Sequence, residues 1–244
     1  MTVILLRHGR SVANARAQLA GRTPGIGLDE TGRAQAAALV ERLSACRDKI
    51  VAVARSPLQR CAETVAPLLA SIDVPEIVVD DLVEVDYGEW TNQPIKDLLA
   101  QPLWKTVQQH PSAAVFPGGE GLAQVQNRAV AAIRRLDREL GGPDGDQIWV
   151  ACSHGDVIKS VIADAMCSHL DSFQRIVVEP ASMSVIQYHP TRPSVHTVNS
   201  TAVVAVPLPR PPKTEEAAAA TNGHHADAIG GSTGSEILTG ATEV

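Results

Sequence analysis

Two histidines and several arginines stand where short apolar runs stop. Arg7-His8-Gly9-Arg10 follows Val3–Leu6, Arg55-Ser56-Pro57-Leu58-Gln59-Arg60 follows Val51–Ala54, and Ser153-His154-Gly155-Asp156 follows Ile148–Cys152. Guanidinium forks match the oxygens of a phosphate-sized dianion in pairs. A receptor for such an anion needs only donors. Imidazole held in one tautomer adds a nucleophile, so two histidines among arginines point to phosphoryl transfer. His8 is the better nucleophile, because it follows an arginine in the tighter loop. His154 then donates to the transferring oxygens, and Arg7 and Arg60 bind them. Asn14, about one helical turn past the first loop, adds a neutral donor. A departing alkoxide also needs a proton. Glu84, Asp86 and Glu89 in "DLVEVDYGEW" compete for that role, as does Asp156 inside the His154 loop.

Other chemistries fit less well. A metal site built from His8, His154 and Cys152 or Asp156 lacks the HxxxH or CxxC spacing that places ligands together. No GxxxxGK loop is present. The expectation is therefore neither metal nor cofactor. Cys46, Cys61, Cys152 and Cys167 are widely spaced in apolar settings and read as buried free thiols. The net charge of -6 argues against non-specific nucleic-acid binding. Arg7 interrupts the first apolar run after four residues, and no stretch reaches the roughly 20 apolar residues of a membrane helix. A cytoplasmic protein without membrane partners is expected, with room left for a homodimer.

The elements that must carry these residues alternate between strand and helix. Strands are expected at 3–6, 51–54, 77–79, 148–152, 184–188 and 194–199. Helices are expected at 11–20, capped by Ser11; from Asp29 or Thr31 through Leu43; from Pro57 through Leu69; at 122–140, stopped by Gly141-Gly142-Pro143; and at 156–167. The pattern predicts an α/β fold, a single-domain three-layer sandwich with a mostly parallel central sheet and helices on both faces. In a parallel sheet the carboxyl ends of strands share one edge, so Arg7, His8, Arg60 and His154 can converge. Residues 82–120 are irregular, with a helix at 94–109, and read as a lid or substrate wall. With aromatics at only 3%, the core of this 244-residue chain must be built from Val, Leu, Ile and Ala. The domain is expected to span 1–206. Residues 207–244, rich in Pro, Gly, Ala and polar side chains, are expected to be disordered, with His224-His225 solvated.

At these residues the sequence resembles the histidine phosphatase superfamily, the phosphoglycerate mutase-like enzymes. The resemblance rests on Arg7-His8-Gly9-Arg10-Ser11 with Asn14, on Ser56-Pro57-Leu58-Gln59-Arg60 followed by Glu63-Thr64, on Glu84 in "LVEVDYGEW", on "PGGEG" at 117–121 and on "CSHGDVIK". It covers about residues 1–205. It implies that His8 is the phosphorylated nucleophile and Glu84 the proton donor, with Arg7, Arg60 and His154 completing the phosphate pocket. Two positions depart from the family pattern. Arg10 replaces an acidic residue, which adds positive charge beside the nucleophile, and Asn92 stands where glycine is expected. The core looks shorter than that of the glycolytic mutases, which favours hydrolysis of small phosphorylated substrates. Phosphoglycerate mutase-type transfer is the near alternative, and a non-catalytic phosphate-ligand binder the distant one.

Overall fold

The computed structural model describes residues 1–140 and 147–201. In chain order it contains β1 (Thr2–Arg7), α1 (Val12–Ala15), α2 (Glu30–Arg42), β2 (Ile50–Arg55), α3 (Gln59–Leu69) and β3 (Glu76–Val78). There follow α4 (Ile95–Leu98), α5 (Pro102–Gln109), α6 (Leu122–Leu140), β4 (Ile148–Ser153), α7 (Gly155–Ala165), β5 (Met183–Tyr188) and β6 (Pro193–Ser200). The strands form one six-stranded sheet in the order β3-β2-β4-β1-β5-β6. β3, β2, β4 and β1 run parallel, and β5 is antiparallel to both β1 and β6.

Successive strand side chains point to opposite faces, and both faces here are buried. Val3, Leu5, Ala52, Ala54, Trp149 and Ala151 face one core, shared with α6 and α7. Ile4, Leu6, Val53, Val150 and Cys152 face the other, shared with α2 and α3. This explains why the central strands read as unbroken apolar runs. α6 presents Leu122, Val125, Ala129, Ile133 and Leu136 from one face, the spacing of a helix lying on a core.

Several boundaries depart from expectation, each for a local reason. The helix expected over 11–20 stops at Ala15. Ala17 is left-handed (φ 48°), its N–H reaches Asn14 O, and Gln18 N–H reaches Ala13 O. This double closure ends a helix, although glycine usually occupies that position. The chain then docks on the irregular segment through Leu19 N–H to Gln93 O and Ile95 N–H to Ala17 O. α3 begins at Gln59, so Pro57 lies outside it. The helix expected at 94–109 is two, α4 and α5. Pro102 opens the second because it has no N–H to continue the first. All four cysteines are free, but Cys167 is exposed in the turn after α7 and Cys46 half-buried. Among the described residues, no helix is long and apolar enough to cross a membrane. The expected stop at 141–143, the domain boundary at 206, and the disorder of 207–244 with its histidine pair lie outside the described residues.

Candidate active site

Sheet register brings the three charged loops together. β4 lies between β1 and β2, with Arg7 opposite Ser153 and Arg55 opposite Cys152. His8, His154 and Ser56 therefore leave neighbouring strands at one edge. Two helices start at the same edge. Arg60 sits in the first turn of α3, and His154 is the residue before α7. The positive ends of both helices add to the side-chain cations there.

The two imidazoles are held in opposite tautomers. His8 Nδ1 lies 2.7 Å from its neighbour's carbonyl, Gly9 O, which can only accept, so Nδ1 carries the proton. Nε2 keeps its lone pair and accepts from Arg60 Nε at 3.2 Å. His154 Nδ1 faces Arg60 Nη2 at 3.2 Å, and Nε2 faces Ser56 Oγ at 2.7 Å. Arginine only donates, so His154 carries its proton on Nε2. The rings meet edge to face, 5.1 Å between centroids. Burial, then Arg60, holds both far below the usual histidine range, so both are neutral near pH 7. His8 Nε2 is thus able to attack an electrophile. His154 Nδ1 is an acceptor while the ring is neutral, and donates only when a bound anion favours the imidazolium.

The arginines are buried and held by carbonyls. Arg7 Nη1 donates to Val178 O at 2.6 Å, and Arg60 Nη2 to Gly21 O at 2.9 Å. Arg60 Nη1 is buried without a hydrogen-bond partner among the described residues. Leaving such a donor unpaired costs about 1–3 kcal/mol or more, and an anion would supply its acceptor.

Of the competing carboxylates, Glu84 and Asp156 are both buried here, and Glu84 is the one that approaches His154. It is 4% exposed, its Oε1 accepts from Val85 N–H at 2.9 Å, and its Oε2 is 3.9 Å from His154 Nδ1. Burial, then the neighbouring Asp156, raises its pKa to about 7 against the pull of Arg60 and Arg7. Such a group can give or take a proton near neutrality. Asp156 faces Arg7 and Glu84 and is also paired with two other side chains. Its Oδ2 accepts from Tyr87 Oη at 2.8 Å, and its Oδ1 lies 3.7 Å from the buried Lys159 Nζ. Asp86 is half-buried, 3.9 Å from Arg22 Nη1, and Glu89 is exposed.

Asn14 is half-buried in the cap of α1. Its Oδ1 accepts from Ser11 N–H at 3.0 Å and Ser11 Oγ at 2.8 Å, and its own N–H returns to Ser11 Oγ at 3.1 Å. Only its amide nitrogen is left to donate to a ligand. Arg10 turns from the site, with Nε donating to Asp29 Oδ2 at 2.6 Å and Nη2 to Thr31 Oγ1 at 2.8 Å. The sequence reading missed Ser56 as partner of His154, Gly21 as partner of Arg60, and Tyr87 with Lys159 as partners of Asp156. Ser56, Tyr87 and Lys159 stand in the quoted motifs. Nothing in the sequence points to Gly21, whose backbone oxygen does the work. No group of three or more His, Cys, Asp or Glu among the described residues is arranged to hold a metal ion.

Comparison with known proteins gives the family of the chain. The chain is 31% identical over 202 residues to a bifunctional protein of Mycobacterium tuberculosis, covering 82% of this chain and 54% of that protein. It thus spans about half the length of the mycobacterial relatives it matches at that level. It is 26% identical over 204 residues to phosphoserine phosphatase 1 of Hydrogenobacter thermophilus, covering 82% and 92%. The fold superposes on YhfR of Bacillus stearothermophilus with a TM-score of 0.75 at 23% identity, covering 82% and 98%. A family model matches residues 3–201, and the chain belongs to the histidine phosphatase superfamily, branch 1.

Proposed function

We propose that this chain hydrolyses phosphomonoesters of small metabolites through a phosphohistidine at His8. The observation that carries the reading is a buried carboxyl, Glu84, 3.9 Å from the His154 imidazole in a cluster with His8 and two buried guanidiniums, where burial raises its pKa to about 7. His8 Nε2 attacks phosphorus, and the bond to the ester oxygen breaks. Arg7 and Arg60 oppose the phosphoryl charge, and His154, protonated as the dianion binds, adds a donor. Asn14 offers its amide. Glu84 gives its proton to the departing alkoxide. As a carboxylate it then takes a proton from water, whose oxygen attacks phosphorus and frees His8. The products are an alcohol and inorganic phosphate, and Glu84 ends protonated as it began.

The relatives named as phosphatases support hydrolysis over mutase-type transfer. A pure binder would not need an acid poised near neutrality. The test is a panel of phosphomonoesters, phosphoglycerates included, with brief turnover quenched in base. Phosphate that is acid-labile and base-stable is expected on His8. His8→Ala should abolish both the label and turnover while the protein stays folded. Turnover near the wild-type rate by folded His8→Ala would overturn the covalent route. Transfer of the phosphoryl group to the hydroxyl on a second carbon of the substrate would favour the mutase reading.

A further inference from the structure

The "PGGEG" turn lies directly beneath the segment that carries Glu84. Glu120 N–H donates to Asp86 O at 2.9 Å, and Glu89 N–H to Pro117 O at 2.9 Å. The backbones touch so closely that side chains are excluded. A Cβ at Gly119 would sit 2.2 Å from Asp86 O, and one at Gly88 (φ +52°) 2.0 Å from Pro117 O. This contact delivers the Glu120 carboxylate to two arginines. Its Oε2 accepts from Arg22 Nη2 at 2.7 Å, Arg128 Nη2 at 3.0 Å and Asp86 N–H at 3.0 Å, and its Oε1 from Arg128 Nε at 3.0 Å.

Both arginines then converge on one carbonyl, that of Glu84. Arg22 Nε donates to Glu84 O at 2.9 Å and Arg128 Nη2 at 3.2 Å, while Arg128 Nη1 also holds Asp81 O at 2.7 Å and Val83 O at 2.8 Å. Arg128 comes from α6. Arg22 comes from the loop whose Gly21 carbonyl holds Arg60. The backbone of Glu84 is therefore tied both to a rigid helix and to the anion-facing cluster. Two guanidiniums on one carbonyl repel each other, and the shared carboxylate is what makes the arrangement favourable. Burial would raise the Glu120 pKa, but hydrogen bonds from Arg128 and the Asp86 N–H hold it below the usual carboxylate range, so the charge persists.

We propose that Glu120 is a positioning residue for Glu84, setting the acid's distance to the leaving oxygen by clamping its backbone through Arg22 and Arg128. The proposal rests on the reading of Glu84 as the acid. A displacement of about 1 Å can cost roughly 100-fold in rate. Such a loss should fall on esters that need a proton and spare those that do not.

The experiment compares kcat/KM for the best alkyl phosphate of the panel and for p-nitrophenyl phosphate, in the wild type, Glu120→Gln, Glu84→Gln and the double variant. The alkyl-to-aryl ratio is read from one preparation, so loss of folded protein cancels. Glu120→Gln should lower that ratio about tenfold or more. The double variant should lie no further down than Glu84→Gln alone, because a misplaced acid matters only while there is an acid. If Glu84→Gln lowers the ratio and Glu120→Gln leaves it unchanged, Glu120 does not position the acid. If Glu84→Gln itself leaves the ratio unchanged, the acid reading falls, and the positioning role with it. Should Glu120→Gln give no soluble protein, Arg22→Gln, at the more exposed guanidinium, carries the same expectation and the same refutation.

Discussion

The anion-facing residues and the proton-bearing residue are held by different kinds of structure. Arg7, His8, Arg60 and His154 ride on strand ends and helix starts, fixed by sheet register and by carbonyls. Glu84 sits in a stretch between β3 and α6 whose regular pieces, α4 and α5, are short. That stretch is held by side chains reaching in from elsewhere, by the "PGGEG" turn, and by Tyr87, Trp90 and Phe116 packed edge to face. Every phosphomonoester presents the same phosphoryl group, and in the proposed reaction the strand-end half meets it. Leaving groups differ, and in that reaction the irregular half meets those. The two halves should therefore fail differently when damaged.

The sharpest break of that contrast pairs Arg60→Ala with Glu84→Gln. Arg60 touches both imidazoles, so its loss should lower kcat/KM for alkyl and aryl esters alike. Glu84→Gln keeps size and removes the transferable proton. It should slow alkyl esters by about 10²–10⁴-fold, the usual worth of a positioned acid. p-Nitrophenyl phosphate should be slowed much less, because nitrophenolate leaves unaided. Equal loss on both esters in the Glu84 variant would erase the division of labour.

A smaller effect appears in the pH dependence. With its pKa raised to about 7, Glu84 loses its proton as pH rises through neutrality. For the free enzyme, kcat/KM on an alkyl ester should fall about tenfold per unit above that point. The aryl ester should keep its value, and both share the phosphate's own ionisation near about 6. Stability follows the same groups. A raised Glu84 favours the folded form most below the ordinary carboxylate pKa of 4.5, and that contribution is lost as pH rises through about 7. His8 and His154 are depressed, so their contribution is present above 6.5 and lost as pH falls below it. A basic limb equally steep for both esters would assign the titration to another group.

The contrast also explains what could be read in advance. An apolar run of four or five residues followed by Arg-His or Ser-His announces a strand end, and parallel topology does the rest. The anion-facing residues were therefore legible from type and spacing. Glu84 was not. Glu84, Asp86 and Glu89 lie within six residues of one another, and only the family resemblance singled one out. What separates them is burial, in a stretch whose backbone Arg128 holds from a helix 44 residues further on. Local patterning carries no trace of that contact. The end of α1 was placed too late for a related reason, since it turns on an alanine in the left-handed region, after which Leu19 docks on Gln93.

Arg10 gives the smallest effect and the finest test of where one half ends. It follows the His8 loop directly, where the family pattern has an acid, and its charge was expected to act on the nucleophile. The structure sends that charge outward. Asp29, the residue that caps α2, takes its Nε, and Thr31 takes its Nη2. The causes that depress His8 are burial, Arg60 and Arg7, without Arg10. The Arg10 side chain is 33% exposed, and pairs this exposed are worth at most about 1 kcal/mol. Arg10→Ala should therefore cost no more than about that in unfolding free energy and leave kcat/KM for both esters within about twofold. The loop itself should hold, because its anchors are backbone groups: Arg10 N–H on Gln35 Oε1, and Arg10 O accepting from Asp29 N–H. A tenfold change in kcat/KM for both esters would place Arg10 with the anion-facing residues, and the boundary between the two halves would move outward by one side chain.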